Sequence, residues 1–187
     1  MQKLFKIVKD NTKSIRERCT PVEEPFAQEI IDLVNDMHDY LVLSQDEEYA
    51  KKHKLREGVG LAAPQVGRNI RALCVYYEDK DEQGNIRKVV DHRLINPRII
   101  SESVKLCTLD GEGCLSVDEV HEGYVYRPYR IIIDAYDVKE GKQVKIQASG
   151  YEAIVLQHEM DHLNGVLFYD HINPKDPFHV IPGSIKI

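Results

Sequence analysis

The stretch Gln157-His158-Glu159-Met160-Asp161-His162-Leu163 constrains the fold more tightly than any other part of the chain. It contains H-E-x-x-H, with His158 and His162 at i and i+4. An α-helix stacks side chains at that spacing on one face. Two imidazoles so placed can bind one divalent metal ion, and the glutamate between them can act as general base on water held there. Helix signals flank the stretch. Ser149-Gly150-Tyr151-Glu152 has the S-x-x-E form of a capping box. Ala153, Ile154, Val155 and Leu156 follow without a breaker, and Asn164-Gly165 supplies a stop. The expected helix runs from about 150 to 164, and its apolar composition places it in the core. The competing reading is two histidines in an ordinary core helix, satisfied by hydrogen bonds. A buried His-Glu-His cluster without metal would still need partners for a charge. A third ligand and an electrophile-binding loop elsewhere would decide between the two.

Length and charge narrow the setting. A chain of 187 residues suits a single domain, 1–187. With 30% charged and 42% hydrophobic residues, it reads as globular and soluble rather than disordered. The net charge of -6 argues against non-specific nucleic-acid binding, which needs a basic surface. No apolar run approaches membrane-spanning length, so no membrane association is expected. Met1 to Lys9 has too short an apolar core for a signal peptide, which places the protein in the cytoplasm. Disulfides are not expected there. Cys19, Cys74 and Cys107 read as small buried or part-buried thiols.

Taken in order, Met1–Val8 reads as a short extended segment and Ser14–Arg18 as one helical turn. Pro25–Leu43 is the first clear helix, with Pro25 at a first helical position. Phe26, Ile30, Val34, Met37 and Leu41 repeat with helical period and read as core packing. Ser44–Glu57 is an acidic-then-basic insertion, partly helical, with a solvated charge run. Strands are expected at 71–77, 87–90, 94–100, 103–107, 124–126, 130–137 and 143–148, with an edge or bulge at Asn96-Pro97. The tail after Phe168 holds Pro174, Pro177 and Pro182, cannot form a long helix, and is expected to end as a strand at 184–187. The fold class is therefore α+β: antiparallel β-sheets around a central metal-binding α-helix, with an N-terminal helix and an extended C-terminal tail.

Two further stretches stand out. Gly58-Val59-Gly60-Leu61-Ala62-Ala63-Pro64-Gln65-Val66-Gly67 reads as a loop whose backbone can approach a ligand closely. No Lys-Ser/Thr follows its glycines, which argues against a phosphate loop. Gln65 is its one polar side chain and reads either as a site group or as a structural hydrogen bond to backbone. Gly111-Glu112-Gly113-Cys114-Leu115-Ser116 is punctuated by glycine. Cys114 alone is an ordinary loop thiol; with the two histidines it could complete a Cys-His-His set that leaves one metal position open.

Three segments, Gly58–Gln65, Glu112–Ser116 and Gln157–His162, resemble the three motifs of peptide deformylases, in that family's order and spacing. The resemblance covers nearly the whole chain. It is nearest to the type 2 bacterial branch, through the insertion at 44–57 and the helix-poor tail. It implies an α+β hydrolase of the bacterial cytoplasm that removes the formyl group from N-formylmethionyl nascent peptides, in transient proximity to the ribosome. It implies Cys114, His158 and His162 as metal ligands, with Fe²⁺ as the natural ion and Zn²⁺ or another divalent ion as a substitute. It implies Glu159 as the acid/base group, and Gln65 with the Leu115 backbone N–H as the oxyanion site. Val59, Ile154, Val155 and His158 would line the methionine pocket, the Val59-Gly60 backbone would pair with the extended substrate, and Gly60 would count among the catalytic as well as the substrate-binding residues. The family's Val-Pro-Arg appears here as Val125-Tyr126-Arg127-Pro128, which bears on the expected pairing of Arg127 with Glu112. Two rival classes are an H-E-x-x-H endopeptidase and a metal-stabilised binding protein. The first lacks a downstream Glu or His ligand; the second has no use for Glu159 and Gln65.

Overall fold

The computed structural model describes residues 4–187; Met1–Lys3, at the start of the segment expected to be extended, lie outside them, and Leu4–Val8 form no regular element. Strand β1 is Gly60–Ala62, β2 Ala72–Lys80, β3 Ile86–Glu102, β6 Arg130–Asp137 and β7 Lys142–Ser149. They form one antiparallel sheet in the order β1-β2-β3-β6-β7. A second sheet joins β5 (Arg127–Pro128), β4 (Leu106–Thr108) and β8 (Ile185–Lys186), with β4 in the middle.

Alternation along β2 shows how the large sheet is used on both faces. Leu73 and Val75 belong to one apolar cluster with Ile131, Ile133, Ala135 and the Ala153, Val155, Leu156 and Met160 side chains of helix α3 (Tyr151–His162). Ala72 and Cys74 belong to another with Ile30, Leu33, Val34, Met37 and Leu41 of helix α1 (Gln28–Ser44). Successive strand side chains point to opposite faces, so the sheet lies between the two helices. Helix α3 is buried on nearly every side, which explains why its sequence lacks an amphipathic stripe. The expected α+β class with a central helix, an N-terminal helix and an extended tail is the fold found.

Several local expectations change. Helix α3 starts at Tyr151 behind Gly150, whose φ of 61° ends the strand before it, and no side chain caps it. Ser149 belongs to β7, and Glu152 turns away from the helix terminus to Lys88 and to His92 Nε2, 2.9 Å away. The helix stops at His162. Helix α1 begins at Gln28, so Pro25 precedes it rather than opening it. The strands expected at 87–90 and 94–100 are one strand, β3. Its pairing with β6 shifts register past Asn96. Asn96 sits at φ 53°, where its side chain accepts from Val22 N and donates to Val22 O, both at 2.8 Å. The segment 124–126 is not a strand; pairing starts at Arg127. The glycine-rich stretch expected as a loop contains β1. In the insertion, helix α2 (Glu47–His53) is capped by Asp46, which accepts from Tyr49 N at 2.7 Å.

Candidate active site

Helix α3 carries His158 and His162 on one face toward the loop that holds Cys114. The candidate ligand atoms of Cys114, His158 and His162 lie within 4.8 Å of one another, and Cys114 Sγ is 3.2 Å from His162 Nε2. His158 Nδ1 lies 2.8 Å from Glu112 Oε2. An ionised carboxylate only accepts, so Nδ1 carries the proton and Nε2 is left for the cluster. Glu112 is itself gripped by Arg127, with Nε to Oε1 at 2.7 Å and Nη2 to Oε2 at 3.0 Å. The shifted proline therefore leaves the Glu112–Arg127 pair intact. Pro128 offers its carbonyl to Gln157 Nε2 at 3.0 Å instead. A thiol and two imidazoles, buried and converging, fit a borderline-soft divalent ion.

Burial pushes the Glu159 carboxyl up to about 7, against the pull of His158 and Arg127. Its Oε2 has no hydrogen-bond partner among the described residues. Burial alone would lower His158, but hydrogen bonds to Cys114 and Glu112 hold it well above the ordinary imidazole range. His162 is pushed well below that range by burial and by the positive His158 and Arg127. Burial would raise Glu112, yet its hydrogen bonds from His158 and Arg127 hold it at about 2.

Both ends of the Gln65 amide have partners. Its Oε1 accepts the Ala62 N–H at 2.8 Å, which fixes the amide orientation. The Nε2 then donates to Ser116 Oγ at 3.1 Å and lies 3.6 Å from Cys114 Sγ. A cleft of about 370 Å³ opens above this centre. Val59, Gly60, Gln65, Cys114, Leu115, Ile154, Val155, His158 and Glu159 all line it, while His162 lies beneath. Cys19, Cys74 and Cys107 are buried elsewhere and unpaired.

Sequence reasoning missed four residues around this centre. Arg56 and Tyr151 line the cleft. Ser116 receives the Gln65 amide, and Asp161 takes Arg127 Nη1 at 2.8 Å. Ser116 and Asp161 lie inside the quoted segments, so proximity in sequence was the available signal. Arg56 and Tyr151 carried none, because only the folded chain brings the end of the insertion and the start of α3 to the same cleft.

A cleft that sets a free buried carboxylate beside a Cys-His-His donor set belongs to the hydrolases built around a single metal site. The model of the polypeptide deformylase family matches residues 4–178. A peptide deformylase of Lacticaseibacillus casei is 50% identical over 182 residues, covering 97% of this chain and 96% of its own. One from Macrococcus caseolyticus is 44% identical over the same length and coverage. Among solved structures, a peptide deformylase from Ehrlichia chaffeensis superposes with a TM-score of 0.73 at 31% identity, covering 94% of this chain and 91% of its own. A Met-Ala-Ser-bound class I type b enzyme from Acinetobacter baumannii gives 0.73 at 26% identity, covering 92% and 100%. The chain belongs to the polypeptide deformylase family, and it is a hydrolase that removes the N-formyl group from nascent peptides.

Proposed function

We propose that residues 1–187 form one catalytic domain in which Cys114, His158 and His162 hold the metal and Glu159 moves the proton. The observation that carries this reading is the burial of Glu159, with a free Oε2, in the same cleft wall as the Cys-His-His group. Fe²⁺ is the proposed ion, with Zn²⁺ as a substitute. When bound it would supply positive charge to lower the pKa of water and to polarise the formyl oxygen.

The chain's own residues do the rest. The Val59-Gly60 edge of β1 receives the extended peptide, and Val59, Ile154, Val155 and the His158 ring enclose the methionine side chain. The Acinetobacter relative was solved with Met-Ala-Ser bound, which supports a short peptide as the kind of ligand this cleft receives. Glu159, with its carboxyl near 7, takes a proton from the attacking water at neutral pH and returns it to the departing amine. The Gln65 Nε2 and Leu115 N–H stabilise negative charge on the formyl oxygen as the carbon becomes tetrahedral. The C–N bond breaks, leaving formate and a free N-terminal methionine.

No helix among the described residues is long and apolar enough to cross a membrane. That fits action in the cytoplasm on chains emerging from the ribosome. The 44–57 insertion and the short-strand tail support the type 2 branch. The test compares a formyl-Met peptide with an internal amide of the same peptide. Glu159→Ala is expected to keep its metal and to lose deformylation. Cleavage of the internal amide, or loss of metal from a folded Glu159→Ala protein, contradicts the assignment.

A further inference from the structure

A line of charged side chains runs from the metal-site candidates to the far side of helix α3. It starts with His158 Nδ1 on Glu112 at 2.8 Å and continues through the two Glu112–Arg127 bonds. Arg127 Nη1 then donates to Asp161 Oδ2 at 2.8 Å, and His171 Nε2 stands 2.8 Å from the same oxygen. Side-chain exposure rises outward, from 4% at Arg127 and 5% at Glu112 to 20% at Asp161 and 38% at His171. The outer end faces a separate cavity of about 360 Å³ lined by Arg127, Gln157, Asp161 and His171.

His171 is attached to this line by its side chain alone. It closes the short helical turn Phe168–His171, which other contacts hold in place. Phe168 is buried against the His158 ring, with centroids 6.1 Å apart. Asp170 pairs with Arg16, and Tyr169 accepts from Arg16 Nη2 at 2.8 Å. Trimming His171 therefore leaves the turn anchored.

We propose that His171 is a positioning residue for the metal site. It holds Asp161, and through Asp161 it fixes the Arg127 guanidinium, the Glu112 carboxylate and the ring of His158. The inference rests on the reading of Cys114, His158 and His162 as ligands. The geometry explains why an outer residue matters. Asp161 Oδ2 takes donors from two sides, so neither side alone sets its rotamer. The guanidinium is a rigid planar fork, with two N–H groups on Glu112 and one on Asp161. Freeing the Asp161 end lets the fork tilt, and the tilt is passed to Glu112 and to the imidazole it orients.

The test uses the full chain stripped of metal and titrated with Zn²⁺ against a chromophoric chelator. Co²⁺ absorption reports the coordination geometry in parallel. Removing a direct partner of a ligand costs about 10–100-fold in metal affinity. His171 acts at two removes from Glu112, so His171→Ala is expected to weaken Zn²⁺ binding by about three- to tenfold and to shift the Co²⁺ bands. His171→Gln, whose amide N–H can reach Asp161, is expected to restore affinity to within about twofold. Parent-level affinity in His171→Ala overturns the proposal. So does equal weakening in both variants, or a lower melting temperature with unchanged metal binding. Cys114→Ser is the control for the ligand reading: if it binds Zn²⁺ as tightly as the parent, that reading fails, whatever His171 does.

Discussion

A Cβ placed on Gly60 would stand 2.2 Å from Glu159 Oε1. The two residues come from different elements, the edge strand β1 and helix α3. The missing side chain is what lets the strand edge and the carboxylate share one cleft wall. Gly60→Ala should therefore displace Glu159 rather than merely stiffen the strand. A displacement of about 1 Å at a reacting group costs about 10²-fold in rate. We expect kcat for a formyl-Met peptide to fall by roughly that factor, with bound metal retained. Steady-state kinetics with metal analysis checks it; a near-normal kcat shows that Glu159 has room to spare.

Gln65 is held by its own Oε1, and this separates two effects of replacing it. Gln65→Leu removes the acceptor for Ala62 N–H and the donor on the Cys114 side. Loss of one oxyanion donor costs about 10²–10³ in kcat. The unsatisfied buried N–H costs about 1–3 kcal/mol of stability. Both losses are expected, kcat falling further than KM rises. A lowered melting temperature with near-normal turnover would show that the amide serves the fold alone.

The residues that line the cleft were easier to read than the elements that carry them. His158 and His162 declare a helix through their spacing, whatever surrounds them. Strand β1 was hidden because glycine and alanine carry little strand preference, and its pairing with β2 is a tertiary fact. The S-x-x-E pattern at Ser149 misled for a similar reason. Lys88 and His92 on β3 claim Glu152 more strongly than the helix terminus does. The Glu112–His158 contact joins positions far apart in sequence, and no local pattern announces it.

Asp91 makes acid stability testable. Its side chain is nearly buried between His38 Nε2 at 3.3 Å, Arg93 Nε at 3.2 Å and Lys139 Nζ at 3.0 Å. Burial alone would raise its pKa, but the hydrogen bonds from His38, Arg93 and Lys139 outweigh it and hold the carboxyl below its ordinary range. A depressed carboxylate stabilises the fold fully above its unfolded pKa of about 3.9, and that stability is lost as pH falls toward the folded value. Asp91→Asn should lower the melting temperature at pH 7, by about 2–4 °C for each kcal/mol lost in a chain of this size. The gap to the parent should narrow below about pH 4. Melting curves across pH decide it, and a gap that stays constant into acid assigns the effect to packing.

Oxygen sensitivity tests the proposed ion and its thiolate together. Imidazole and thiolate ligands accept both Fe²⁺ and Zn²⁺, so the donor set does not choose between them. Reactivity does, because Fe²⁺ can be oxidised and Zn²⁺ has no redox chemistry. The four cysteines are not equally at risk. Burial pushes the Cys19 thiol up to about 11, and it raises Cys74 and Cys107 as well. Thiols held protonated react slowly with oxidants. Cys114 instead lines the cleft, within reach of small molecules that enter it. Fe-loaded protein should lose activity in air and keep it under anaerobic reduction, while Zn-loaded protein stays stable. Mass spectrometry should find oxygen added first at Cys114, with Cys19, Cys74 and Cys107 lagging. Air-stable Fe-loaded protein, or oxidation that begins at another cysteine, would show that the thiolate does not sit on a redox-active ion at an open position.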